Sequence, residues 1–536
     1  MAFDTLQLLA AKFSLDGHPL QAMKCLEASL SLSPMPADAA QVRLRAARLL
    51  LQHTTNLAEV KQHLQKAAWT SAVRRSLVPA LGTEGVITAV GEALQAGGEE
   101  VHDSPAVQQV KLHFNVLQII YAIRLGQYDQ LVKLPEPSKD NAPSNPSAST
   151  PVAITTLLEL LGAVAASEGA AAYEWLPLEA QEGLVRLLAS TILRGPGKVK
   201  PALAHVSQGL TAVDEGLRRL GVAAARGGGG PGGGDSSGGG GGRPATEQEV
   251  HHADVWVARA LLVLRLLLVE SRLQLHLLQS DYPSARGDVA ENAELYGRFP
   301  LLLEALRPSL HMQAALYAHA VGAWGAAVAH YAAAAGATTD PLAEPQARCL
   351  AAMARVAQGG PDAAGEGMTL LGDLYGAPAQ RVADCCERAL AQAAGALLRL
   401  GAGGGDDPQD EARAAEAKAR VMLGKALKSA HERLHSHQLV TQLLNTLAPL
   451  RLDASDVSGA TQMLTSSFTL ARAMGDLNGQ VAALGVLQQV HIATHQADEA
   501  AQTSNYLARK KADLAARLAA AEADAAEHSA VLSWGL

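Results

Sequence analysis

The plainest chemical pattern in the chain is His431-Glu432-Arg433-Leu434-His435, which matches H-E-x-x-H. On one helix face that spacing brings two imidazoles to a zinc ion and leaves the carboxylate to activate water. A zinc hydrolase using His431, Glu432 and His435 is therefore one alternative function. Three observations weigh against it. No G-x-x-H follows to supply a third ligand, no strand pattern nearby would hold a peptide, and three fixed positions recur by chance in a chain with 18 His. His437 adds one more polar group at an expected helix end.

Other short patterns resolve the same way. Gly195-Pro196-Gly197-Lys198 resembles the end of a phosphate loop, but Val199 stands where Ser or Thr must bind magnesium, and Ile192 stands where the earlier Gly belongs. It reads as a turn between helices. Arg286-Gly287-Asp288 falls inside a helical pattern. Cys25, Cys349 and the adjacent Cys385-Cys386 are too few for a disulfide framework and point to a reducing compartment. The expectation is a protein that is not an enzyme, with no cofactor, no metal and no small-molecule substrate.

One set of charges needs a reason. Ala260–Leu278, ALLVLRLLLVESRLQLHLL, is the most apolar run, and Arg265, Glu270 and Arg272 interrupt it. Those charges favour a buried helix over a membrane span, and no membrane partner is expected. Arg265, Arg272 and His276, spaced seven and four apart, fall on one helix face. A solvated face accounts for them, and so does a groove whose acidic or backbone acceptor groups they meet. They are the candidate partner-groove residues, and charge reversal at both arginines is expected to weaken partner binding with little change in melting temperature.

The elements that must position these residues are helical hairpins. Leu310–Ala335 places small residues where two antiparallel helices touch: Ala315 and Ala318, then Gly322 in the turn, then Ala327, Tyr331 and Ala334. The N-terminal stretch repeats the spacing with Leu9-Ala10, Phe13, Gly17, Ala22, Leu26, Ser29 and Pro34. Weaker copies include Leu51, Leu64 and Ala67; Gly126-Gln127-Tyr128-Asp129; Ser280-Asp281-Tyr282 with Ala285 and Val289; and Leu484, Leu487, Ala500 and Leu507. One hairpin cannot bury its apolar face alone, so the copies imply an all-α, irregular tetratricopeptide-like (TPR) α-solenoid of antiparallel helical hairpins.

Composition agrees. The 536 residues are 48% hydrophobic and only 4% aromatic, which suits helix-on-helix packing, and the net charge of −8 disfavours direct nucleic-acid binding. The expected order is helical repeats over 1–134, thin over 71–98, and a linker at 135–151. A second helical segment follows at 152–222, with a break at Tyr173-Glu174-Trp175-Leu176-Pro177 before a helix over Leu178–Leu193. A glycine-rich loop without order is expected at 223–246. The central and C-terminal repeats fill 247–536, with a loop at 401–409. The closing helix KKADLAARLAAAEADAAEH is expected to fray, and MAFDTLQLL lacks the basic opening of a signal peptide.

Longer blocks carry a resemblance. KCLEASLSLSP with RLRAARLLLQHTTNLAEVKQHLQKA resembles the opening of the smaller, tetratricopeptide subunit of the cohesin-loading complex, in its plant-type branch. EWLPLEAQEGLVRLLASTILRGPGKVKPALAHVSQGL is similar to that family's W-L-P segment. FPLLLEALRPSLHMQAALYAHAVGAWGAAVAHY, LVTQLLNTLAPLRLDASDVSGATQMLTSSFTLARAMGD and NYLARKKADLAARLAAA resemble its later repeats and ending. The resemblance implies a non-catalytic scaffold that wraps an extended N-terminal segment of the large adherin (Nipped-B-like) subunit. Through that heterodimer it implies promotion of cohesin loading for sister chromatid cohesion, contact with the cohesin complex, indirect contact with chromatin and a nuclear location. The rival within the same fold is another TPR adaptor, such as a cell-cycle ligase or chaperone scaffold.

Overall fold

Local turn chemistry sets the architecture. In the computed structural model, one turn recurs between many of the successive helices. A residue at positive φ ends the first helix, and the next residue's N–H reaches back five positions to a carbonyl. Gly322 (φ 81) takes this role in the hairpin foreseen from sequence, with Ala323 N–H donating to Ala318 O at 2.8 Å. The same bond joins His18 to Phe13, Gln127 to Ala122, Lys198 to Leu193, Asp281 to His276, Asp456 to Arg451, Asp476 to Ala471 and Gln496 to His491. Ser280, Ser455 and His495 adopt the left-handed conformation without being glycine. Side chains then start the next helix: Asp456 and Asp476 each accept from a backbone N–H three residues on, at 2.9 Å.

The structure describes residues 2–15, 17–32, 36–53, 57–70, 105–134, 150–166, 175–222, 246–338, 340, 343–360, 362–374, 393–397 and 408–536. The thin pattern at 71–98, the expected linker up to residue 149, Tyr173-Glu174, the glycine tract at 223–245, Cys385-Cys386 and the loop residues 401–407 lie outside them. Among the described residues every regular element is a helix, which bears out the all-α, TPR-like fold class.

The chain divides into two units, Met1–Leu178 and Glu179–Leu536. The division falls inside the expected 152–222 segment. The first unit holds α1 (Ala2–Leu15), α2 (Pro19–Ser31), α3 (Pro36–His53), α4 (Leu57–Thr70), α5 (Pro105–Leu125) and α6 (Val152–Ala166). Its core joins Ala10, Ala22, Leu26, Leu44, Leu50, Leu64, Phe114 and Leu117. Ala10, Ala22, Leu26, Leu51 and Leu64 are thus buried as the repeat spacing requires. His113 stacks on Trp175 with ring centres 4.2 Å apart.

The second unit begins with α7 (Leu178–Arg194), α8 (Val199–Arg219), α9 (Val255–Leu278) and α10 (Tyr282–Arg298). It continues with α11 (Arg307–Ala320), α12 (Trp324–Ala337), α13 (Ala343–Gln358) and α14 (Ala363–Leu371). After these come α15 (Pro408–Glu432), α16 (His437–Asp453), α17 (Val457–Met474), α18 (Leu477–Ala493), α19 (Ala497–Glu522) and α20 (Ala525–Leu532). Ala315, Ala318, Ala327 and Tyr331 form one buried cluster with Ala351 and Ala354 of α13, so the hairpin does borrow its neighbour's face. Gly216 of α8 allows a close approach: a Cβ there would sit 3.0 Å from Leu261 of α9. No helix among the described residues is long and apolar enough to cross a membrane.

The closing helices pack back on the unit: α19 on α10, and α20 on α10 and α11. Arg517 donates to Gln279 O, and Arg286 donates to Ala521 O and pairs with Glu527.

Candidate functional site

Helix α9 runs through the interior of the second unit, and its charged face is built from pieces of three helices. Arg265 is 2% exposed, too little for an outside group to reach. Its Nε donates to Asp214 of α8 at 2.9 Å and its Nη2 to Glu291 of α10 at 2.7 Å, while Nη1 has no hydrogen-bond partner. One turn pair further on, Arg272 Nε donates to Asp288 at 2.7 Å, and its Nη2 donates to the second oxygen of Glu291. His276 Nδ1 donates to the other Asp288 oxygen at 2.7 Å. The seven-and-four spacing does bring the three cations together, as the sequence implied.

What the sequence left open was their partners. Asp214, Asp288 and Glu291 occupy them, so neither a merely solvated face nor bare groove cations describes the arrangement. Burial works against the Arg272 charge, but Asp288 and Glu291 outweigh it and hold the guanidinium above its ordinary value. Two guanidiniums and three carboxylates make up the cluster, with the His276 ring hydrogen-bonded at its edge. Such a cluster fixes the relative positions of α8, α9 and α10 by charge-assisted bonds.

A second polar layer lies on the far side of α9. Glu270 accepts from Ser309 at 2.7 Å and from Gln313 at 3.3 Å. Burial raises its carboxyl above the ordinary range, against the pull of those bonds and of Arg194. Asn292 bridges the Leu266 carbonyl at 3.2 Å and Gln313 at 2.9 Å, and Ser190 meets Ser271 at 2.9 Å. These groups link α7, α9, α10 and α11 and pay the hydrogen-bonding needs of a helix that is otherwise leucine-rich.

The H-E-x-x-H residues do not share a helix face. Helix α15 ends at Glu432, and His435 sits beyond it at φ +46. The Gly195–Lys198 turn packs here: His437 N–H donates to Gly195 O at 3.0 Å. Burial, then the neighbouring His431 and His435, hold the His437 imidazole below its ordinary range. Among the described residues no three His, Cys, Asp or Glu side chains gather as metal ligands would. Two motifs that looked like chemistry are one packing seam.

Sequence reasoning missed the residues that dock α20. His528 Nδ1 meets Tyr317 Oη at 2.8 Å, His330 Nε2 donates to Leu532 O at 3.1 Å, and the Trp534 ring lies 5.0 Å from His311. The available signal was the spacing of Glu527 and Val531, one helical turn apart on α20, with Trp534 in the turn just past its end.

Stacked antiparallel hairpins with buried alanines at their crossings define a helical-repeat scaffold of the tetratricopeptide type. Comparison with known proteins then narrows the class. The family model described as cohesin loading factor matches residues 21–77, within α2–α4 and just beyond. The sister chromatid cohesion protein SCC4 of Arabidopsis thaliana is 26% identical over 348 residues, 65% of this chain and 44% of that protein. The chain therefore spans under half the length of that relative. Among solved structures, Scc4 in complex with Scc2n and Ctf19n overlays with a TM-score of 0.31 at 12% identity, covering 95% of this chain and 88% of that one. A Rap protein complexed with competence and sporulation factor gives 0.37 at 10% identity, covering 90% and 99%. Scores so low carry no argument. The family model and the Arabidopsis relative bear out the resemblance read from the sequence blocks: this chain is similar to the cohesin loading factor family over residues 21–77 and to SCC4 over 348 residues.

Proposed function

We propose that the chain is the non-catalytic scaffold subunit of a cohesin loader. Its hairpins hold an extended N-terminal segment of an adherin-type large subunit, and the heterodimer promotes loading of cohesin onto chromatin in the nucleus. The observation that carries this reading is the cohesin loading factor match at residues 21–77 together with the 65% of the chain that aligns with a sister chromatid cohesion protein. The repeat architecture supports it, because stacked hairpins offer long surfaces to an extended peptide. The role needs no reaction chemistry of its own.

Within the charged face of α9, Arg272 is the member that a partner's acidic side chain reaches, being 26% exposed, while Arg265 and His276 fix its position. Co-expression with the N-terminal segment of an adherin-type subunit tests the whole reading. A stable one-to-one complex on size-exclusion chromatography is expected. No complex with the unaltered chain overturns the assignment, and a normal complex with Arg272→Gln overturns the role given to that residue alone.

A further inference from the structure

Residues Asp524–Leu536 sit on the second unit as a bound ligand would. The Asp524 side chain accepts from Glu527 N–H at 3.0 Å and starts α20. From that helix, Glu527 pairs with Arg286 Nε at 2.7 Å. Four residues on, Val531 is buried in one cluster with Leu273, Tyr282, Ala285, Val289, Ala314 and Tyr317. Three further, Trp534 lies edge-on to Tyr296, with ring centres 5.7 Å apart and planes at 83°, and tilts onto His311. Glu527 and Val531, four apart on α20, and Trp534, in the turn just past its end, are the anchors of a helix lying in a groove.

The receiving surface is built for that segment. His330 Nε2–H donates to the Leu532 carbonyl, so in the neutral ring Nδ1 is the acceptor, and it faces His311 Nδ1 at 3.2 Å, which must donate. Burial lowers the pKa of both imidazoles, that of His311 to about 4. Tyr317 Oη meets His528, and Arg286 meets both Glu527 and the Ala521 carbonyl. Tyr317, His330 and Arg286 thus each meet a polar group of the docked segment.

The segment's hold is narrow. Helix α20 buries only Val531, and the 26-residue α19 that leads to it buries only Leu507 and Ala521. Few buried apolar contacts on a mostly exposed element give it a low opening free energy compared with the hairpins beneath. The α11–α12 hairpin closes on its own buried cluster with α13, to which the segment adds only the partly buried Leu532.

We propose that the surface formed by Arg286, His311, Tyr317 and His330 is a helix-binding site, occupied in the free chain by its own residues 524–536. The segment is an exchangeable latch. It yields to a partner helix that presents an acidic residue, an aliphatic residue four positions later and a tryptophan three positions after that. This inference is independent of the cohesin reading.

The test uses the full chain and a fluorescein-labelled peptide of residues 521–536. In the unaltered chain the latch competes at an effective concentration of roughly millimolar, so peptide binding is weak. Val531→Asp with Trp534→Ala detaches the latch and leaves the surface intact, and peptide affinity is expected to rise about tenfold or more. A peptide carrying the same two substitutions does not bind. The proposal is overturned if the double variant keeps its helicity and melting temperature yet binds the peptide no better than the unaltered chain. Should that variant fail to fold, hydrogen exchange on the unaltered chain decides. Residues 525–536 are expected to exchange at least tenfold faster than 307–337, and equal protection overturns the latch.

Discussion

Arg265 Nη2 donates to Glu291 Oε1 across 2.7 Å, and the same carboxylate gives its other oxygen to Arg272. One side chain of α10 therefore holds two turns of α9, and Arg265 completes the link to α8 through Asp214. Truncation of Arg265 strands partly buried carboxylates, and breaking a buried pair from one side costs about 3–5 kcal/mol. Arg265→Ala is expected to lower the urea midpoint of the second unit by a margin of that order. Arg272→Ala, at a more open position, costs less. Charge reversal at Arg265 thus affects folding first, which replaces the sequence-based expectation of an unchanged melting temperature. An unaltered urea midpoint in Arg265→Ala would show that the cluster contributes nothing net.

Ala327 is fully buried between α11 and α12, in the cluster that also holds Ala315 and Ala318. A leucine there must displace its packed neighbours in that cluster, and overpacking of this kind costs typically about 1–3 kcal/mol. Ala327→Leu is expected to lower the melting temperature and broaden the transition, because each hairpin depends on its neighbours. Circular dichroism melting checks this; a single unchanged transition would contradict the register.

Burial first, then the charges of Arg48 and Arg45, lower the His113 pKa from 6.5 to about 3. The folded value lies below the unfolded one, so the unfolded chain binds more protons between those limits. Stability from this group is full above about pH 6.5 and drains as pH falls toward 3, by at most ~1.4 kcal/mol per pH unit. Melting of the first unit at pH 7, 6 and 5 should show that decline. His113→Phe, which keeps a ring against Trp175, should flatten it; an equally steep decline in that variant would assign the dependence to other groups.

His435 lies past the end of α15 at positive φ, so it cannot join His431 on a helix face. His431→Ala with His435→Ala is expected to leave metal content by plasma emission unchanged and near zero. One equivalent of zinc that disappears in the double variant would restore the hydrolase reading.

Local relationships were the legible ones. Ala315, Ala318, Gly322, Ala327, Tyr331 and Ala334 fall where their spacing placed them, since small-residue contacts and the turn are set within some twenty residues. The start of α6 at Val152 and of α7 at Leu178 followed from the adjacent proline and from the W-L-P break. The cation face was visible, but its carboxylates were not: Asp214 precedes Arg265 by 51 positions, and no periodicity reports a pairing between separate helices. The return of α20 was hidden for the same reason. His330 and Leu532 meet across 202 residues, and the alanine-rich approach of α19 reads as a solvated helix. H-E-x-x-H misled in the opposite direction, because a five-residue string does not reveal that the helix stops inside it.

The recurring turn has a mechanical consequence. Each hairpin is sealed by main-chain bonds at its bend and joined to its neighbours by side faces alone, so tension along the chain peels hairpins one after another. Releasing α11 with α12 would lengthen the tether by about 100 Å. The contacts of Arg286, Tyr317 and His330 with residues 521–532 are among the exceptions, since they fasten the middle of the second unit to a distant stretch of sequence. Under load that fastening is sheared and not peeled, and its rupture comes before the central steps of the staircase.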